Sequence, residues 1–585
     1  MTLTLKKLLT TRKAEYLVPI LTTLSLIAGC IITSSKKDFW NDELFSYYFL
    51  ADPSFGHMMM DAFHDKLNNT PALYFILGWL WARVFSASEL SLRLFSSLGF
   101  CIALWITWLT LRRVYGFWAA SFAALSVFTS RLILYQNSEA RMYGLFMAIG
   151  ALSLMQFDLN NQTKRCPRWI LIFNFLIQTA LVHIHLHGVF FGVATLVAQI
   201  ARDKLFGFFR PRLYSSFVLG WLTLIFYIPA FLVQADAGKP QSWLTAPTLQ
   251  DLASFISLFP SIYFNLSFLM LLTVLAGMQF FYQSGKEIDI VELEQPNRYV
   301  SEKKSLLIFA FTFLMVSFAI WLISRTVRPL FYDRYLLLTF LGLGILIAHF
   351  FSRVFPSYLA EAYGQSKIKC FGFLAPPLQV GLSVILLMMM LIPTFDAKLY
   401  DGNFLLGEKD AQYGYTNLPI VVQSSTFLER FYNIPESRSR YFYILDKQAA
   451  ESPLAGIFTL QEYKHYDAWQ RVYPEIFKEN IVENEEFLNK YSKFLVVDYS
   501  HYDKICTRQE VGIADLATRW TNRHCPQWLE TRIIQNPEYK VTVLGLVNNR
   551  FRKAPNGALI RPNGVESMLL VEKKSDIETL PKPTN

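Results

Sequence analysis

Two adjacent carboxylates, Asp42 and Glu43, follow directly on the first apolar run, in the stretch Lys37-Asp38-Phe39-Trp40-Asn41-Asp42-Glu43. A carboxylate within reach of a hydroxyl or amine can take its proton as the group attacks. An acid at the bilayer centre costs roughly 2.5 to 3.5 kcal/mol, so this pair has either reached water or lines a cavity. The same residues also read as a helix start, with Asn41 or Asp42 as N-cap and acids in the first turn. Candidate anion binders are Arg141, in Gln136-Asn-Ser-Glu139-Ala-Arg141-Met-Tyr143, and Arg334, in Arg328-Pro-Leu-Phe-Tyr-Asp333-Arg334-Tyr335. The guanidinium fork meets two phosphate oxygens at once. The competing readings are a local pair of Arg141 with Glu139, and for Arg334 a pair with Asp333 or a snorkelling side chain. Arg325 and Arg328 add positive field beside Arg334. In His183-Ile-His185-Leu-His187, at a helix end, His183 and His187 share a face at i, i+4, a spacing that can bind metal. Histidines that hydrogen-bond or face head groups are the plainer alternative.

These groups need elements to hold them, and the composition says which kind. A chain of 585 residues that is 53% hydrophobic and 16% aromatic, with mean hydropathy +0.28, is an integral membrane protein. Its net charge of +10 lies in short clusters between apolar runs, the positive-inside pattern and not a nucleic-acid footprint. The first run, about 16–34, follows Lys6, Lys7, Arg12 and Lys13 and so leads outward. Ile27-Ala-Gly-Cys30 resembles a lipoprotein cleavage box, but a retained first helix suits the many spans that follow.

The apolar segment 71–85 is short, and its treatment fixes every later orientation. If it lies in the interface, spans alternate at about 91–110, 117–134, 142–158, 169–187, 188–201, 213–233, 262–283, 305–324, 335–351 and 372–394, giving roughly eleven with the first. Arg112-Arg113, Lys164-Arg165, Arg202 to Arg212, Lys303-Lys304 and Lys367 to Lys369 then fall inside. Asp42, Glu139 and Arg141, His185 and His187, the loop near 240 and the Arg328–Tyr335 stretch all fall on the outer side, as one site would require.

The predicted organisation is a membrane domain over 1–394, an extracytoplasmic α/β domain over 395–575 and a disordered tail, 576–585. Short apolar stretches at 419–422, 441–445, 494–498, 541–546 and 568–571 read as buried strands, with helices at 425–432 and 514–523 between them. Cys506 and Cys525 could pair in an oxidising compartment. Asp498, His501 and Asp503 read as polar side chains facing solvent and not as a catalytic cluster.

Several of these pieces, in order, resemble the polytopic GT-C-type glycosyltransferases that use a polyprenyl-phosphate-linked sugar, the protein O-mannosyltransferase and lipid A aminoarabinose transferase-like family. Trp40-Asn-Asp42-Glu43 is similar to their acidic motif, and Thr70-Pro-Ala-Leu-Tyr74 to His-Pro-Pro-Leu-Tyr. Ser88-Glu-Leu-Ser-Leu-Arg93 matches the run after it, Gln136–Tyr143 resembles Ser-Gln-Glu-Ala-Arg-x-Tyr, and Arg334-Tyr335 the Arg-Tyr of a late span. The resemblance implies a mostly α membrane protein with interfacial helices in the first outer loop. It implies Asp42 as base in an inverting transfer, with Glu43 orienting it or capping the helix, and Arg141, Arg334, Tyr335 and Arg328 toward the donor phosphate. A divalent metal on Glu139 with His185 or His187 is a further implication, weakened by Thr70 where relatives commonly carry histidine. Implied partners are the lipid-linked donor, an acceptor outside the membrane and membrane lipids, in a bacterial inner membrane. Trp-Trp-Asp-Tyr-Gly, the oligosaccharyltransferase signature, is absent. A transporter of a lipid-linked or anionic solute is the rival class, although no internal repeat points to it.

Overall fold

A computed structural model describes residues 16–35, 37–67, 70–163, 166–237, 244, 246–255, 296–354, 388, 414–423, 426–451, 457–499, 528–546, 552–553, 559–560 and 566–574. The chain forms two compact units. The first comprises Met1–Lys36, Thr70–Phe226 and Ala246–Asp401; the second, Lys37–Asn69, Tyr227–Thr245 and Gly402–Asn585. The residues after the first apolar run therefore group with the C-terminal part of the chain.

The first unit is helical. Among the described residues, four helices are long and apolar enough to cross a membrane: Leu17–Ser34, Glu89–Tyr115, Pro211–Ala237 and Ser301–Thr326. Ser88 opens the second, accepting from the Ser91 N–H, and Arg112 and Arg113 in its last turn complement the helix dipole. Gly116, at φ +83°, ends it. Its tightest neighbour is the Tyr143–Gln162 helix. There a Cβ at Gly99 would lie 2.3 Å from the Gly144 carbonyl carbon, and one at Gly144 1.8 Å from the Ser96 oxygen. Only glycine permits this approach, the small-residue contact that lets membrane helices pack backbone to backbone. Elsewhere the helices are joined by buried polar side chains. Ser153 meets Thr195 and Gln178, Asn160 meets Gln199, and Asp203 gathers Arg202, Arg210 and Tyr214.

Leu73–Phe85 is a helix of 13 residues, about 20 Å long against a hydrocarbon core of about 30 Å. The expected span at 117–134 divides into Phe117–Phe128 and Arg131–Asn137. At the break the Thr129 hydroxyl bonds back to the Leu125 carbonyl and Ser130 is extended, the competition with the helix that such residues offer. The run at 213–233 likewise becomes Pro211–Leu222, a 3-10 turn Thr223–Tyr227 and Ile228–Ala237. Pro229, which lacks an N–H and crowds the carbonyl four residues back, accounts for the change of winding. The runs at 262–283 and 372–394 lie outside the described residues.

The second unit is built on a six-stranded mixed sheet. Its strands are β1 (Ile420–Val422), β2 (Tyr441–Leu445), β3 (Ile481–Glu483), β4 (Lys493–Tyr499), β5 (Tyr539–Leu546) and β8 (Glu566–Lys573), in the order β3-β2-β1-β4-β8-β5. β6 (Arg552–Lys553) and β7 (Leu559–Ile560) form a separate ribbon. β1 runs parallel to β2 and β4, and β8 antiparallel to β4 and β5. The continuous apolar strings Ile-Val-Val and Phe-Leu-Val-Val suit central strands buried on both faces. β3 escapes a sequence reading because only Ile481 and Val482 are apolar, between Asn480 and Glu483. Cys506, Cys525, His501, Asp503 and the helix expected at 514–523 lie outside the described residues.

The helices Asn41–Ala51 and Phe55–His64 belong to this unit. The Asn41 N–H donates to Glu429 at 3.0 Å and the Asn433 amide to the Phe39 carbonyl at 3.1 Å. Tyr48 packs edge-on to Trp469 and Phe477, with centroids 5.0 and 5.2 Å away.

Candidate active site

Three separated segments of the first unit converge on one arginine. The turn Asp333–Leu336 carries Arg334, which is buried, while Asp333 beside it is exposed, so the local ion pair is not formed. The guanidinium carbon lies 4.9 Å from the Tyr332 ring centre, 5.6 Å from Tyr143 and 5.9 Å from Tyr335. Such contacts are worth about 0.5–1 kcal/mol each at exposed sites and more when desolvated. Tyr335 in turn lies 5.0 Å from both His185 and His187, and Phe146 stacks on His185 at 5.0 Å. The His185 Nδ1 accepts the His187 N–H at 3.1 Å, and His187 Nε2 meets the Leu330 carbonyl at 3.1 Å. Arg141 and Arg334 both lie within electrostatic range of His185.

The Glu139–Arg141 turn is placed by the glycine contact. Ser96, beside that contact, donates to the Arg141 carbonyl at 2.9 Å. Ser97 donates to Asn137, whose amide reaches the Leu26 carbonyl. Glu139 is fully buried and Arg141 half-buried.

Not every expected residue joins this group. Arg328 is exposed, and Arg325 lies over Trp321 and donates to the Pro247 carbonyl. The i, i+4 relation of His183 and His187 does not form, because the helix ends at Ile184 and His185 is extended. His183 meets the Thr223 hydroxyl instead, at 2.9 Å. Among the described residues, the His, Cys, Asp and Glu side chains whose ligand atoms gather within 4.8 Å are Asp52, His57 and Asp61. Glu139, His185 and His187 form no such group. Tyr143 closes the Arg-x-Tyr signature and Tyr332 stands two residues before Arg334, whereas no local pattern marks Phe146.

In the second unit, Asp42 occupies the first turn of the Asn41–Ala51 helix, half-buried. Glu43 is fully buried, and its carboxylate reaches back from the first turn to accept the Trp40 N–H at 3.4 Å, satisfying a donor at the helix start. Glu43 thus fixes the helix start that presents Asp42. The charge of Asp42 acts on His465, a buried histidine whose ring meets Phe45 edge-on at 5.3 Å. His465 lies some four hundred residues downstream, beyond any local pattern.

Fold and site together define a polytopic membrane protein with a buried arginine–tyrosine–histidine cluster and an α/β unit. The chain is similar to the crystal structure of ArnT from Cupriavidus metallidurans bound to undecaprenyl phosphate, with a TM-score of 0.50 and 12% identity over 97% of this chain and 99% of that one. For the apo state of the same protein the values are 0.49 and 11%, over 94% and 97%. At this identity the likeness is one of fold, and it extends over nearly the whole length of both chains. No family model and no curated protein matches the sequence.

Proposed function

We propose that this chain is a membrane glycosyltransferase that moves a single hexosyl or pentosyl unit from a polyprenyl-phosphate carrier to an acceptor at the outer face of a bacterial inner membrane. The observation that carries the reading is the buried Arg334 among Tyr143, Tyr332 and Tyr335, assembled from segments far apart in sequence. A buried guanidinium ringed by tyrosines is suited to a lipid-linked phosphate, and the similar fold in ArnT is one that binds undecaprenyl phosphate.

In the proposed reaction, Arg334, with Arg141 and Tyr335, holds the donor phosphate. The acceptor oxygen or nitrogen forms its bond to the anomeric carbon as the bond from that carbon to the phosphate oxygen breaks, with inversion. The bonding pair leaves on the phosphate, which needs little acid assistance because its second pKa is near 6. The acceptor proton passes to Asp42, and a two-carboxylate glycosidase apparatus is unnecessary.

The test offers purified protein in nanodiscs a panel of polyprenyl-phosphate sugars and follows release of polyprenyl phosphate. Asp42→Asn should fold and bind donor yet lose transfer by about 10²–10⁴-fold, the usual worth of a general base. Turnover retained in Asp42→Asn would remove the base assignment, and no turnover with any donor, despite saturable lipid binding, would favour a transporter.

A further inference from the structure

We propose that Asp52, His57 and Asp61 form a binding site for one divalent transition-metal ion of the zinc type, within the second unit and separate from the arginine cluster. The three come from one short stretch. Asp52 ends the Asn41–Ala51 helix, and His57 and Asp61 stand at i, i+4 on the Phe55–His64 helix, a separation that puts both on one face. Their ligand atoms lie within 4.8 Å of one another.

The cluster is chemically incomplete without a cation. The His57 Nδ1 lies 2.5 Å from Asp52 Oδ2 and 3.3 Å from Asp61 Oδ2. One ring nitrogen carries at most one hydrogen, and at 2.5 Å that hydrogen belongs to Asp52. Asp61, 7% exposed, is left with a buried Oδ2 aimed at the same nitrogen and with no hydrogen-bond partner. A buried carboxylate oxygen in that state is costly, and a second buried carboxylate beside it more so. The Tyr473 hydroxyl, 3.3 Å from Asp52 Oδ2 and 3.5 Å from the Tyr48 carbonyl, also acts on Asp61, but its single hydrogen cannot serve both carboxylates.

A divalent ion supplies the missing charge to both carboxylates. One imidazole with two carboxylates selects a borderline ion over calcium or magnesium, which take oxygen ligands throughout. Bonds of about 2.0–2.2 Å in tetrahedral geometry set ligand atoms about 3.3 Å apart. The Asp61–His57 separation already matches, and the Asp52–His57 separation opens as the imidazole proton leaves. His57, 41% exposed at its side chain, gives the ion a path from solvent and leaves the fourth position to water. With Tyr473 as outer partner of Asp52, the ion would tie the two helices to the end of the Ile457–Val472 helix.

The test uses full-length protein without a polyhistidine tag, stripped of metal, in nanodiscs, and titrated with Zn²⁺ against a chromophoric chelator. We expect one equivalent bound, a higher melting temperature with Zn²⁺, and binding at least tenfold weaker in both Asp61→Asn and His57→Gln. Because His57 is partly exposed, its variant remains informative if Asp61→Asn fails to fold. Stoichiometric binding that survives both changes, binding lost instead in Glu139→Gln, or no binding at all would each overturn the assignment.

Discussion

Gly144→Ala tests the geometry that places Arg141. A Cβ there must move from 1.8 Å to at least 3.0 Å from the Ser96 carbonyl oxygen, a separation of about 1.2 Å between two helix backbones. No side chain can rotate to absorb it, since the nearest atoms are the Ser96 oxygen and carbon. Overpacking of a core costs about 1–3 kcal/mol where side chains can give, so the upper end applies here. Parting the helices also breaks the 2.9 Å bond from Ser96 to the Arg141 carbonyl, worth about 1 kcal/mol. The expected total is about 3–4 kcal/mol, with Arg141 displaced. Thermal unfolding in nanodiscs and polyprenyl-phosphate affinity should both report it, as a melting temperature lower by several degrees and a raised donor KM. Gly150→Ala is the control, because its Cβ would meet the Leu338 methyls, which can turn away at a cost of about 1 kcal/mol. A Gly144→Ala protein with parental melting and parental donor affinity would refute the argument.

Arg334→Lys replaces a planar fork with a point charge and loses the ring-face contacts. Donor binding should weaken about 10–100-fold, equivalent to about 1.4–2.8 kcal/mol, measured as a KM increase larger than any fall in kcat. Asp203→Ala leaves Arg202 and Arg210, now bonded to that buried carboxylate, without it; a loss of about 3–5 kcal/mol should appear in thermal unfolding. Burial holds the His465 imidazole down at about 4, against an ordinary value of 6.5. Between those values the unfolded chain takes up a proton that the folded chain excludes. Stability present above pH 6.5 is therefore lost as pH falls toward 4, by about 3 kcal/mol. His465→Gln should flatten that part of the melting-temperature profile, and an unchanged profile would contradict the burial of a neutral ring.

How much of this was legible differs by element. Among the described residues, local pattern located most of the apolar helices to within a few residues, because the run of hydrophobic side chains is what a helix in a bilayer consists of. It missed the breaks at Thr129-Ser130 and near Pro229, where single residues redirect the backbone without lowering hydropathy. The central strands were visible as short apolar strings, and β3 was not. The sequence marked Arg141, Arg334, His185 and His187 in the first unit, and Asp42 and Glu43 in the second, by residue type and motif, and left Glu43 between two roles.

Sequence alone thus determined the membrane character, the apolar segments and the acidic helix start, all consequences of residues adjacent or nearly adjacent in the chain. Tertiary structure buried Glu43 fully at the helix start and left Asp42 beside it half-buried. It turned His183 away from His187 by ending a helix at Ile184, and grouped Lys37–Asn69 with the C-terminal strands. It also brought Tyr143, His185, His187 and Arg334 together. The placement of Tyr143 depends on the backbone approach at Gly99 and Gly144, and the others on which side chains meet across the fold, quantities that residue spacing does not encode.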